Sequence, residues 1–213
     1  MSPAGWPSLG PPRDAIRAAR GRAEARALDI TDLDATAAMV AGAGPFDVMV
    51  NSAGLARHGP ALDTRPEDYD AAMALNLRAA YFLTREVARG LIGAGRPGSL
   101  INVSSQMGHV GGPDRAVYCA NKHALEGMTK AMAIEWAPHG IRINTLCPTF
   151  VRTPLAEKSL SDPVRKAWIL SKIKLGRVGE LEDMMGPIVF LASDASALMT
   201  GTHLIVDGGW TAE

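Results

Sequence analysis

Tyr118 and Lys122 stand four residues apart in the stretch "VYCANKHAL", residues 117–125. Four residues is about one helical turn, so a helix here sets both side chains on one face. The pairing has a chemical use. A free phenol ionises near pH 10, too high for a base at neutral pH. An ammonium one turn away favours the phenolate by roughly 1–3 units. Such a tyrosine can act as general acid or base at an oxygen atom. Ser105 lies thirteen residues upstream, at the end of the apolar run "GSLINVSS". The glycine-rich loop between them can return its hydroxyl to the phenol, where it would hold a substrate oxygen. Asn76 is the fourth candidate. It sits on the apolar stripe of an expected helix, and a buried amide left unpaired costs about 1–3 kcal/mol. It is read either as a capping or packing amide or as a residue that organises water or a kinked helix near a site. The set suits proton transfer at an alcohol or carbonyl oxygen, coupled to hydride transfer at the attached carbon.

These residues need elements to position them. "FDVMVNSAG" is a continuous apolar run closed by small residues, as in a strand buried on both faces. "GSLINVSS", "IRINTLCP" and "HLIVDGG" read as further strands, and "ARALDI" as a short one ending at Asp29. In the segment 66–92, Tyr69, Met73, Asn76, Leu77, Ala80, Leu83, Val87 and Leu91 recur at helical steps. Residues 115–137 form a second long helix, stopped by Pro138, His139 and Gly140. Residues 180–194 are helical again. Residues 14–28 are rich in Ala and Arg and predict a short helix capped by Asp14. Strands alternating with helices imply a parallel sheet with right-handed crossovers. Ligands of such sheets bind beyond the carboxyl ends of the strands. Asp29, Asn51, Ser104, Ser105 and Pro148 fall at those ends. The chain divides into an irregular arm and short helix over 1–25 and one domain over 26–213, with 152–178 as a substrate-side excursion.

Composition excludes other classes. The 213 residues suffice for one domain with a sizeable core. A net charge of zero gives no case for nucleic acid or an anionic membrane surface. No apolar run approaches the roughly 18 residues of a membrane span. Cys119 and Cys147 read as reduced core thiols, which points to a reducing, cytoplasmic location. The five histidines are scattered, none at metal-ligand spacing, so no metal is expected.

The ordered series "NSAG" at 51, Asn76, "INVSS" at 101, "YCANK" at 118, "CPTFVRTP" at 147, "GRVGELED" at 176, "FLASD" at 190 and "TGTHLIVDGG" at 200 resembles the classical short-chain dehydrogenase/reductases over residues 25–210. The resemblance implies a Rossmann-like, doubly wound α/β fold and oxidation of a secondary alcohol, or its reverse, with NAD or NADP. It implies Tyr118 as acid/base, Lys122 as its partner and holder of the nicotinamide ribose, Ser105 on the substrate oxygen and Asn76 on a relay water. Asp29 and Ile30 would meet adenine. Asn51, Ala53 and Gly54 would line the cofactor floor. Pro148, Val151 and Thr153 would meet the carboxamide. Family members pair their long helices, here lined by Ala120, Ala124, Gly127 and Ala131, so a homodimer or homotetramer is implied.

One departure is large. The family opens with a strand, a TGxxxGxG loop and a helix, and the glycines of this chain's first 28 residues lack that spacing. The sheet is therefore expected without its first two strands, with an apolar edge at 46–51. Two readings follow: an NAD(P)-dependent oxidoreductase, or a catalytically inactive remnant or scaffold unable to hold the dinucleotide alone. The excursion holds Arg152, Lys158, Arg165, Lys166, Lys172, Lys174 and Arg177 against Glu157 and Asp162. It is read as a solvated face or as a basic lid for an anionic substrate.

Overall fold

The computed structural model describes residues 10–212, with the side chains of Pro11, Pro12, Leu155 and Lys158 outside the description. Nine residues of the expected arm lie outside it as well. Gly10 already begins helix α1 (Gly10–Ala18), whose first turn holds Pro11 and Pro12. A first turn tolerates proline because its N–H groups have no intrahelical acceptor. Asp14 is thus inside the helix rather than its cap, and the helix stops ten residues short of Leu28, at a left-handed Arg20. The strand expected at "ARALDI" is not formed; residues 21–29 run as irregular backbone. A strand needs a neighbour to take its backbone hydrogen bonds, and none lies beside this segment among the described residues.

A helix missed in the sequence follows. The Asp32 carboxylate accepts from the Ala35 N–H at 3.0 Å and caps α2 (Leu33–Ala43). Strand β1 (Val48–Asn51) leads to α3 (Pro66–Met73), a π-helical turn over Ala74–Ala79, and α4 (Ala80–Gly93). Then come β2 (Gly98–Val103), α5 (Ala116–Trp136), β3 (Ile141–Pro148), α6 (Pro154–Leu160), α7 (Pro163–Lys172), α8 (Leu181–Ala192) and β4 (His203–Val206). The strands pair in chain order, every pair parallel.

Alternation along each strand divides the core. Met49, Leu100, Ile141 and Ile143 meet Val40, Val87, Leu91 and Met132 on the face covered by α2, α4 and α5. Ile101 and Leu146 meet Met184 and Leu191 of α8 on the other. This is the Rossmann-like, doubly wound arrangement. Burial of such Leu and Ile side chains stabilises by about 1.5–3 kcal/mol each. The edge strand β1 is the exception. Its Val48 and Val50, which point away from α4, are 42% and 40% exposed.

Candidate active site

Every strand is parallel, so all carboxyl ends open on one edge, and the candidate residues other than Asp29 and Ile30 gather there. A cavity of about 410 Å³ lies at that edge. Ser105, Tyr118, Pro148, Val151 and Thr153 all line it. Lys122 and Asn76 stand behind the wall, both buried. Asn51, Ala53 and Gly54 border the cavity through their neighbour Ser52 rather than lining it. Asp29 and Ile30 lie apart from it. Asp29 accepts from the Thr31 N–H at 2.9 Å and hydroxyl at 2.8 Å, forming a turn that leads into α2.

Tyr118 occupies the first turn of α5. Burial pushes its phenol above the usual value; the Ser105 hydroxyl and then the Arg115 charge pull in the opposite direction. The Ser105 oxygen accepts from the Met107 N–H at 3.1 Å and donates to Gln106 Oε1 at 2.9 Å. Lys122 Nζ donates to the Val103 carbonyl at 2.9 Å and stands 5.7 Å from the centre of the Tyr118 ring. Burial lowers its pKa to about 8, countered by Cys147 and Glu126.

The Asn76 amide lies in the π turn and grips one residue. Its Oδ1 accepts from the Leu55 N–H and its Nδ2 donates to the Leu55 carbonyl, both at 2.8 Å. These two bonds fix the end of the "NSAGL" segment. Asn51 holds the start: Oδ1 accepts from Ala53 N–H at 3.2 Å, and Nδ2 donates to Asn102 Oδ1 at 3.1 Å. Asn102 in turn donates to Thr84 at 3.3 Å. This buried polar chain was not assigned from sequence; an asparagine inside the apolar run "LINV" was its signal.

Two further residues of the cavity, Arg115 and His58, lie outside the motif set. Arg115, three before Tyr118, is only 6% exposed. Its guanidinium meets His58 Nε2 and lies 5.1 Å above the Phe150 ring, while its Nε has no partner among the described residues. His58 also meets the Tyr118 ring edge-on, with centroids 5.4 Å apart. The basic lid is weaker than its composition suggested. Arg152 pairs with Glu180, Arg165 with Asp114 and Arg177 with Asp183, at 3.0, 2.8 and 2.6 Å.

A family model described as Enoyl-(Acyl carrier protein) reductase matches residues 13–211. An L-xylulose reductase of Bos taurus is 43% identical over 185 residues, 87% of this chain and 76% of that protein. The chain belongs to the short-chain dehydrogenase/reductase family. It is an NAD(P)-dependent oxidoreductase of secondary alcohols and ketones. A 2-dehydro-3-deoxy-D-gluconate 5-dehydrogenase of Escherichia coli strain K12 is 40% identical over 81% of this chain and 68% of its own. The crystal structure of a gluconate 5-dehydrogenase from Burkholderia cenocepacia, in complex with NADP and tartrate, superposes with a TM-score of 0.90 at 32% identity. It covers 94% of this chain and 80% of that one.

The residues present fit the nicotinamide end of the family's cofactor. Pro148, Val151 and Thr153 line the same cavity as Ser105 and Tyr118. Thr149 lines it too, and its hydroxyl is buried without a partner among the described residues, free to bond a carboxamide.

Proposed function

We propose that the chain interconverts a ketone and a secondary alcohol on a small polyhydroxylated molecule bearing a carboxylate. The carrying observation is the convergence of Ser105, Tyr118 and the buried Arg115 on one cavity wall. Nicotinamide, when bound as NAD or NADP, carries the hydride. The Ser105 hydroxyl turns from Gln106 to donate to the substrate oxygen. Tyr118, held protonated by burial, gives its proton to that oxygen during reduction and takes it back during oxidation. The Lys122 ammonium lies behind the phenol and favours its charged form. Asn76 acts through Leu55, holding the cofactor floor rather than touching substrate. Asp29 and Ile30 serve the adenine end.

Arg115 supports the anionic reading. A guanidinium inside a pocket wall is costly unless an anion shares the site, and a carboxylate matches its fork. The test compares kcat/KM for a sugar acid and an uncharged ketose. A charge-assisted hydrogen bond is worth up to about 3 kcal/mol, so Arg115→Gln should cost the acid roughly 100-fold more than the ketose. Equal losses would remove the carboxylate from the proposal and leave the oxidoreductase.

The reading includes a homodimer or homotetramer and a reducing, cytoplasmic location, which two free thiols support. An apolar groove of about 610 Å³ between α4 and α5, lined by Leu77, Phe82, Met128 and Trp136, supports pairing of these helices. Light scattering after size exclusion tests it: a monomer would exclude it.

A further inference from the structure

The helix that carries Tyr118 and Lys122 carries a second cluster one turn further on. Glu126 follows Lys122 by four residues and shares its face of α5. Strand alternation turns Thr145 and Cys147 of β3 toward that face. The register pairs Thr145 with His203, so the imidazole at the start of β4 points the same way. The turn Gln106–Gly108 then lowers His109 onto the same spot. Gly108 permits this approach: a Cβ there would stand 3.1 Å from Ser104 Oγ and 3.2 Å from Glu126 Cγ.

Three potential metal ligands, His109, Glu126 and His203, meet as a result, and Cys147 stands beside two of them, His109 and Glu126. His109 Nε2 is 3.4 Å from Cys147 Sγ and 3.8 Å from Glu126 Oε2. Cys147 Sγ is 3.4 Å from Glu126 Oε1. One ligand atom each of His109, Glu126 and His203 lies within 4.8 Å of the others. A tetrahedral zinc site with bonds of about 2.0–2.3 Å has ligand–ligand edges of roughly 3.3–3.8 Å. The edges among His109, Glu126 and Cys147 fall in that range, and His203 stands within 4.8 Å of His109 and Glu126. Two imidazoles, a thiol and a carboxylate are a donor set that suits a borderline-soft dication.

Two further observations fit an ion. Nδ1 of His203 is buried and has no hydrogen-bond partner among the described residues. Thr145 Oγ1 donates to Glu126 Oε2 at 2.9 Å, the kind of supporting bond that orients a ligating carboxylate. Cys147 and Glu126 are buried while His109 and His203 are partly exposed, so an ion has an entry side.

We propose that His109, Glu126, Cys147 and His203 form a binding site for one zinc-type divalent ion. The site is separate from the cofactor cavity and does not depend on the substrate assignment. Binding displaces the Cys147 proton to solvent, and the resulting thiolate and the Glu126 carboxylate balance the two charges of the ion.

Cobalt(II) is the probe, because a thiolate ligand gives it a near-ultraviolet charge-transfer band. The chelator-dialysed chain should develop that band and intense visible bands, saturating at one equivalent, and zinc should abolish them. Cys147→Ser should lose the charge-transfer band, and Cys119→Ser should keep it. His203→Ala, at a partly exposed strand start, should stay folded by circular dichroism and bind at least about tenfold more weakly. A wild-type chain without the band, a band that survives Cys147→Ser, or unchanged affinity in His203→Ala would each overturn the proposal.

Discussion

Lys122 Nζ reaches the carbonyl of Val103, 2.9 Å away, and so ties the second turn of α5 to the last residue of β2. The lysine is therefore a clamp on the strand end as well as a charge behind Tyr118. Its burial has a measurable consequence. An unfolded chain keeps this ammonium to about pH 10.5, the folded chain only to about 8. Between those values the unfolded state holds the extra proton, so this residue's contribution to stability rises with pH there. Below the window the cost of burying the charge is fully present, about 3 kcal/mol for a shift of this size. Lys122→Met lacks the group. Its stability relative to wild type should decline by up to about 3 kcal/mol as pH rises through the window, read by urea unfolding. A constant difference would mean that the lysine is not titrating.

Tyr118 should show the opposite polarity in catalysis. Burial holds the phenol protonated at neutral pH. Alcohol oxidation needs the phenolate, so its kcat/KM should climb about tenfold per pH unit on the acid side of the phenol's pKa. Ketone reduction should be flat there and fall only when the phenol ionises. Tyr118→Phe should lose about 100-fold to 10,000-fold in kcat in both directions and still bind NADPH. Substantial retained turnover would reassign the proton transfer.

Asn76→Leu tests the grip on Leu55. It removes two hydrogen bonds and leaves both backbone groups of Leu55 seeking partners. The expected loss is about 2–4 kcal/mol in urea unfolding, with a raised KM for the cofactor. A changed kcat with unchanged stability and KM would instead mean direct participation in proton transfer.

Val48 and Val50 leave an apolar face open on the edge strand. Val50→Lys should lower light scattering of the 213-residue chain on warming while leaving its circular dichroism unchanged. Unchanged scattering would show that the edge is not the sticky surface.

The strands and long helices could be read because their signals are local. β1, β2 and β3 are apolar runs, and α5 ends at the expected Pro138–Gly140 stop. The segment at Asp29 failed because strand propensity cannot supply a neighbour. Tyr69 failed as a core residue, at 44% exposed, because it lies before the π turn, where the helix surface is phased differently. Ser105, Tyr118 and Lys122 could be placed by spacing. Arg115 and the bond from Asn76 to Leu55 could not, because burial and partners belong to the folded chain. The histidines taught the same lesson: His109 and His203 are 94 residues apart in the chain, yet their ring centres are 4.2 Å apart.

The π turn at Ala74–Ala79 stores one residue more than an α-helix would use over the same rise. Since each helical residue turns the chain by about 100°, losing a residue elsewhere in α3 or α4 would rotate one buried face into solvent. Losing one here would let the turn relax to α geometry and keep both flanks in phase. A single-codon deletion within this turn would thus leave a folded protein whose amide no longer reaches Leu55, uncoupling assembly of the fold from assembly of the cofactor floor.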